Sequence, residues 1–386
     1  MAAACSAARL LGLDRLILVP DCLPPHKSAQ EVIGAEHRLA MVRLAAESLD
    51  LPKGMVQVSD AELRRTGKSY TVDTMREFRR QFPEDTIWLL MGTDMFLTFQ
   101  DWYAAEEILQ MCGLCAFGRT AADTEELFSS QRRYLQERFG ARIATIAIPE
   151  IVDISSTALR EGLSSEKTYR EYGRRYLAPA VYGYILRHRL YGTRADLRRL
   201  EGPEFRAAAL SHLKGSRIPH VLGTARTAVD LARRWGADAE EARRAALLHD
   251  CTKRLNLEEQ LALCEKYQIA LDDVERRELK LLHAKTGAAV ARDVYGVSDA
   301  VHDAIFWHTT GKADMTLLEK IIYLADYIEP TRDFCDLRRL RSLAFQDLDQ
   351  AMLLGFTMAV EDLSRQGGVV HPNSVRARDY LKGKLL

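Results

Sequence analysis

The sequence predicts two domains, an α/β domain with a parallel sheet followed by an all-α domain. Three observations predict this. Short continuous apolar runs alternate with helix-spaced stretches as far as residue 192, and beyond that point strand signals stop. A charged segment, Thr193 to Gly202, leads to Gly202-Pro203 between the two regions. Histidine concentrates in the second region, with seven of the ten beyond residue 210. A chain of 386 residues also has two domains as its ordinary length expectation. The boundary is placed near 195, giving domains 1–194 and 195–386.

The first region reads in order. Arg15 to Val19 is a short apolar strand ending at Pro20. Gly34 to Ser48 carries helical apolar spacing at Leu39, Val42, Leu44 and Ala45. Met55 to Val58 is a strand. Tyr70 to Arg80 is a helix, with Ser69 as its expected N-cap. Ile87 to Met91 is a continuous apolar strand followed by the turn Gly92-Thr93-Asp94. Cys112 to Phe117 and Ile143 to Ile148 are two more strands. Continuous rather than alternating strands, separated by helices, predict a parallel sheet covered on both faces. Such sheets bind ligands at the carboxyl ends of their strands. Ala178-Pro179-Ala180-Val181 opens a last helix ending near Tyr191-Gly192.

The second region reads as helices. Pro219 to Arg234 has apolar spacing at Val221, Ala225, Val229 and Ala232, with Pro219 near the first turn. Asp238-x-x-Glu241 resembles a capping box before the next helix. His283 to Val294, Ser298 to Trp307, Met315 to Ile328 and Leu348 to Gln366 follow. No repeat or low-complexity segment interrupts the chain.

Composition sets limits on function. Lys plus Arg equals Asp plus Glu at 54 each, so no global charge points to nucleic acid or to a membrane surface. Seven cysteines, an odd number scattered among apolar neighbours, fit reduced thiols and a cytoplasmic location. Cys112-x-x-Cys115 has no further zinc partners nearby and reads as buried strand cysteines. Met1 to Leu13 lacks a cationic start and looks amphipathic, so no secretory leader is expected. No apolar run approaches the roughly 20 residues of a membrane span.

Metal-ligand residue types run through the second region as His220, His249-Asp250, His283, His308 and Asp326. Imidazole nitrogen with carboxylate oxygen suits iron, manganese or zinc. The apolar run Ala245-Ala246-Leu247-Leu248 ends at His249-Asp250, which places two ligands at the inner end of a buried helix. A metal held this way can make hydroxide from water near neutral pH. A single buried histidine is more often a satisfied core group than a ligand; six ligand-type residues in this order argue the reverse. His302-Asp303 is a decoy. It lies six positions before His308, about 240° around a helix of 3.6 residues per turn, and is expected to face elsewhere and be solvated.

Finer matches carry a family resemblance. Arg217-x-x-His220, Leu281-Leu282-His283, Trp307-His308-Thr309-Thr310-Gly311 and Ala325-Asp326-Tyr327-Ile328-Glu329-Pro330 resemble the YqeK-type symmetrical diadenosine tetraphosphatases of the HD phosphohydrolase superfamily. Arg332 and His371-Pro372-Asn373-Ser374 extend the match, which covers residues 205–385. The resemblance implies an all-α HD domain that cuts diadenosine tetraphosphate symmetrically to two ADP. It implies that His220, His249, Asp250 and Asp326 hold ferrous iron or another divalent transition metal. His283 and His308 would contact phosphates, or hold a second metal with Asp250 bridging. Asp250 and Lys253 are the expected catalytic pair. Arg217, Lys253, His283, His308, Thr309, Arg332, His371, Asn373 and Ser374 are the expected substrate contacts, since a polyphosphate needs cationic groups at its phosphoryl oxygens. Hydrolysis of another nucleotide, such as a guanosine alarmone, stays open at this stage, as does a non-catalytic nucleotide-sensing module.

The first region is similar to bacterial nicotinate-mononucleotide adenylyltransferases over residues 1–192. The match runs through Leu23-Pro24-Pro25-His26-Lys27, Ser69-Tyr70-Thr71-Val72-Asp73-Thr74, Gly92-Thr93-Asp94, Asp101-Trp102 and Ile154-Ser155-Ser156-Thr157-x-x-Arg160. It implies a Rossmann-like nucleotidyltransferase fold serving NAD biosynthesis. Tyr70, Thr71 and Trp102 would hold nicotinate mononucleotide, and Asp94 would bind nicotinate mononucleotide or ATP. Ser155, Ser156, Thr157 and Arg160 would receive ATP phosphates, because backbone N–H groups at a helix start favour anions. On spacing alone the serine-rich turn also reads as an N-cap with no ligand, and Trp102 alone as core. The family begins with a strand and a loop, Gly-x-Phe-Asp-Pro-x-His-x-Gly-His, which this chain starts after. Either the chain is N-terminally incomplete, which is the expectation, or this half has lost catalysis; magnesium would serve it if active. Partners are small nucleotides (diadenosine tetraphosphate, ATP, nicotinate mononucleotide), with no nucleic acid and no membrane, and a homodimer left open.

Overall fold

A computed structural model describes residues 1–22, 33–65, 67–118, 123, 125–146, 154–334 and 336–385. The chain forms two compact units, Met1–Ala178 with Leu190–Gly192, and Pro179–Arg189 with Thr193–Leu386. The segment Leu23 to Lys27 and the strand positions 147 and 148 lie outside the described residues.

The first unit runs α1 (Ala2–Leu10), β1 (Leu16–Leu18), α2 (Ala35–Glu47), β2 (Val56–Val58), α3 (Thr71–Gln81), β3 (Trp88–Gly92), α4 (Thr93–Leu97), α5 (Ala105–Met111), β4 (Gly113–Phe117), α6 (Glu125–Phe139), β5 (Ile143–Ile146), α7 (Ser156–Ser164) and α8 (Tyr169–Tyr176). All pairings are parallel, with Leu16 opposite Val56 in one sheet and the order β3-β4-β5 in the other. Strand β4 shows why its residues are continuously apolar. Leu114 and Ala116 pack into a core with Val72, Phe96, Phe99, Ile108 and Leu135, whereas Cys115 points to the other face against Ala7 and Ile146. Both faces are covered, as a parallel sheet requires. Burial pushes the Cys112 thiol up to about 12 and the Cys115 thiol up to about 11, so both are inert apolar side chains.

One local expectation fails here. Tyr70, not Ser69, is the N-cap of α3, and it makes no side-chain cap bond. The Ser69 hydroxyl accepts a 2.9 Å hydrogen bond from Arg65, which also donates to Thr74 and Glu77. A guanidinium out-competes the helix start for that oxygen.

The second unit is helical: α9 (Pro179–Arg187), α10 (Gly202–Leu210), α11 (Ile218–Trp235), α12 (Ala239–Leu248), α13 (Leu257–Lys266), α14 (Leu279–Tyr295), α15 (Asp299–Phe306), α16 (Leu317–Ile328), α17 (Leu337–Ala344), α18 (Leu348–Arg365) and α19 (Pro372–Leu385). Asn256 with Glu259 and Thr316 with Glu319 form complete capping boxes. Asp238 caps α12 through the Glu240 and Glu241 N–H groups, but only half the expected box forms. The Glu241 carboxylate takes the Ser298 hydroxyl at 2.6 Å instead. Ala242, Ala245, Ala246 and Leu248 are fully buried, so α12 lies close against α11 and α16. Ile321, Leu324 and Ala325 of α16 complete that core. Among the described residues, no helix is long and apolar enough to cross a membrane.

Candidate metal centre and nucleotide sites

Five helices converge on one point in the second unit. His220 stands in the first turn of α11, His249 and Asp250 directly follow α12, His283 lies on α14, His308 follows α15, and Asp326 lies in the last turn of α16. His249 and Asp250 are fully buried, and His220, His283 and His308 nearly so. Asp250 is central. Its Oδ2 lies 3.4 Å from His249 Nε2 and 3.9 Å from His220 Nε2, and its Oδ1 lies 3.2 Å from His283 Nε2 and 3.9 Å from His308 Nε2. Asp326 Oδ1 is 2.9 Å from His220 Nε2 and 3.8 Å from His249 Nε2. Ligand atoms fall into three overlapping groups, His220-His249-Asp250, His249-His308-Asp326 and Asp250-His283-His308, each within 4.8 Å.

The Nδ1 atoms explain this convergence. Each has its own partner: His249 donates to Ala246 O, His283 to Lys280 O and His308 to Ile305 O, all at 2.6 Å, and His220 to Glu329 Oε1 at 2.9 Å. That leaves every Nε2 facing inward with its lone pair. His220 Nε2, His249 Nε2 and Asp250 Oδ1 are buried and make no hydrogen bond. Buried polar atoms without partners are rare and costly. Here they form a mixed imidazole and carboxylate donor set that fits a divalent transition metal.

Charge supports the same fit. Burial opposes ionisation of Asp250 and Asp326, yet His249 beside Asp250 and His220 beside Asp326 hold both well below the usual carboxylate range. Burial pushes His308 well below its ordinary value, and His283 down also, so both are neutral. Burial disfavours the charged form of His249 too, but Asp250 and Asp326 outweigh it and raise its pKa. Three cations ring the carboxylates. Arg217 Nε donates to Asp250 Oδ2 at 2.5 Å, Lys253 Nζ lies 3.3 Å from Asp250 Oδ1, and Arg332 donates to Asp326 Oδ1 at 3.0 Å.

The first unit places its candidate residues at element starts. Tyr70 and Thr71 open α3, and Tyr70 packs 4.9 Å from Tyr103. Asp94 is exposed on α4, directly after β3. Trp102 is partly buried and packs 5.3 Å from Phe99, so its ring belongs in part to the core. Ser155 caps α7, accepting from Ala158 N at 3.0 Å, with Ser156 and Thr157 exposed in its first turn. Arg160 lies over the Tyr191 ring at 5.7 Å.

Comparison with known proteins resolves the two halves separately. The HD domain family matches residues 217–331, and the cytidylyltransferase-like family matches residues 1–162. A symmetrical bis(5'-nucleosyl)-tetraphosphatase from Halalkalibacterium halodurans is 36% identical over 171 residues, 44% of this chain and 91% of that protein. A probable nicotinate-nucleotide adenylyltransferase from Carboxydothermus hydrogenoformans is 35% identical over 180 residues, 46% of this chain and 84% of that protein. The chain therefore belongs to both families, one in each half. A solved structure from Clostridium acetobutylicum, described as a predicted HD superfamily hydrolase involved in NAD metabolism, is 39% identical. It covers 48% of this chain and 99% of that one, with a TM-score of 0.46.

In the tetraphosphatase-type half, the late residues have protein partners of their own. His371 is buried and pairs with Asp272 at 2.8 Å, Asn373 accepts from Arg376, and Ser374 donates to Thr310 O at 2.8 Å. They tie α19 to the Asp272 loop and to the turn carrying His308 and Thr309. Asp272, Glu275 and His371 form a further cluster of ligand type, but Lys285 already pairs with Glu275 at 2.7 Å. His302 is largely covered, its side chain only 14% exposed, and not solvated as expected. Phe306, one turn on, packs 5.8 Å from its ring, and Asp303 takes its Nδ1 at 2.8 Å. The pair does face away from the centre: neither residue is in any ligand group among the described residues. Residue type alone does not single out Glu329, although it lies within the Ala325-to-Pro330 match, three positions after Asp326.

Proposed function

We propose that the second unit hydrolyses diadenosine tetraphosphate symmetrically to two ADP, with ferrous iron as its metal. The observation that carries this reading is the inward convergence of four Nε2 atoms and two ionised carboxylates beside three cations. The similarity to symmetrical tetraphosphatases supports the substrate. His220, His249, Asp250 and Asp326 would hold the metal, with His283 and His308 available for a second ion beside Asp250. A divalent metal so held supplies a hydroxide near neutral pH and a Lewis acid for phosphoryl oxygens. The protein's own groups do the rest. Arg217, Lys253 and Arg332 would turn from the carboxylates to the phosphate chain and stabilise charge growing on its oxygens. Lys253, also 3.4 Å from His283 Nε2, is placed to bind phosphate and to hold that imidazole neutral. Thr309 would contact the substrate beside His308, and His371, Asn373 and Ser374 would support that turn.

For the first unit, we infer nucleotide binding of the adenylyltransferase type. Tyr70, Thr71 and Trp102 would take nicotinate mononucleotide, Asp94 that nucleotide or ATP, and Ser155, Ser156, Thr157 and Arg160 the phosphates of magnesium ATP. The functional division is proposed near residue 195, with α9 lending its packing to the second unit. The six cysteines among the described residues are free thiols, which supports a reducing cytoplasm.

Product analysis tests the hydrolase reading. Full-length protein supplied with ferrous iron, manganese or cobalt should release ADP alone from diadenosine tetraphosphate on chromatography. Equal ATP and AMP would mean asymmetric cleavage and would sink the assignment. No turnover with any of the three metals would refute catalysis.

A further inference from the structure

We propose that Glu329 is a positioning residue for the metal centre: its buried carboxylate takes the Nδ1 proton of His220 and aims a basic Nε2 at the cation. The inference rests on the metal reading above and goes beyond its ligand set. Three of the four imidazoles give Nδ1 to a main-chain carbonyl three residues back. His220 alone reaches a carboxylate, 109 residues further along the chain. A carbonyl fixes the tautomer only. A carboxylate also raises the basicity of the ligand and shares the positive charge that a bound cation puts on the ring.

The site is built for this carboxylate. Glu329 is fully buried. Its Oε2 accepts from Thr331 N at 2.7 Å, and its Oε1 accepts from the Thr331 hydroxyl. Arg341 donates to Ile328 O at 2.8 Å and to Glu329 O at 2.7 Å, which pins the main chain. Gly223, one turn past His220 on α11, leaves the space: a Cβ there would lie 2.4 Å from Glu329 Oε2. Burying a carboxylate is costly unless partners repay it. Its partners here are Thr331 and the imidazole of a ligand, with Arg332 Nε at 4.0 Å. Because Asp326 and Glu329 are three apart, one segment supplies both a ligand to the metal and the group that orients His220.

The test measures metal affinity directly, on full-length protein stripped of metal and titrated with cobalt(II) or manganese(II) against a chromogenic chelator. Glu329→Gln should weaken binding by about 10–100-fold, the usual effect of losing such a partner, and shift the cobalt(II) absorption bands. Thr331→Val should weaken it less, in the same direction. Affinity within about twofold of wild type in both variants, against that usual loss, would overturn the inference, even if wild type hydrolyses its substrate normally. A drop in melting temperature of metal-free Glu329→Gln with unchanged affinity would show a merely structural role and overturn it too. If Glu329→Gln does not fold, Thr331→Val decides alone. A wild-type protein that binds neither metal would refute the metal reading itself.

Discussion

Asp250→Ala should strip the centre of metal, while Asp303→Ala leaves it intact. Asp250 is within 4 Å of all four inward imidazoles and is a member of two of the three ligand groups at this centre. Alanine would leave each of those two groups with only two ligands. Loss of even an outer partner costs about 10–100-fold in affinity or activity, so loss of this shared ligand should exceed that and abolish turnover. Folding suffers as well, because Arg217 and Lys253 lose their buried counter-charge. Removing one member of a fully buried ion pair costs about 3–5 kcal/mol. Both cations here keep partial exposure and can turn to water, which brings the expectation to about 1–3 kcal/mol. Asp303 is half-exposed and pairs with His302. Its loss should cost under about 1 kcal/mol and no metal. Metal analysis of both purified variants, with melting curves, is the assay. Full metal content in Asp250→Ala, or equal loss in both, would refute the assignment of the centre.

Two further outcomes are expected. Gly311→Ala should cost about 1–3 kcal/mol by chemical denaturation, since Gly311 has φ +64° and a Cβ there would lie 2.3 Å from the Phe356 ring; unchanged stability would show that the turn after His308 yields freely. Asp349 joins Lys320 of α16 to Lys384 of α19 at 2.6 and 3.0 Å, and despite partial burial these two lysines hold its carboxyl below the usual range. A depressed folded pKa stabilises above the unfolded value of about 3.9 and is lost as pH falls through the folded one. Asp349→Asn should therefore cost about 1 kcal/mol at pH 7 and nothing in strong acid, and a pH-independent difference would contradict the ion-pair account.

Residue type and spacing alone determined the broad organisation. The parallel α/β half is legible because a strand buried on both faces must be apolar at consecutive positions, as Leu114, Cys115 and Ala116 are. The helical half is legible because helices that bury one face repeat their apolar residues every three to four positions. The candidate ligands are legible as types, since few residues besides His and Asp offer such donors. What only the tertiary structure decided is what depends on groups distant in sequence. The Nε2 atoms face inward because Ala246, Lys280, Ile305 and Glu329 occupy the Nδ1 atoms, and no local pattern states the Glu329 link across 109 residues. Ser69 loses its capping role to a guanidinium that folding brings beside it. His302 is covered by Phe306 because α15 packs with one side inward, which six-residue spacing from His308 could not specify. Periodicity is set by a residue's own helix or strand, whereas a hydrogen-bond partner is set by whichever element packs against it.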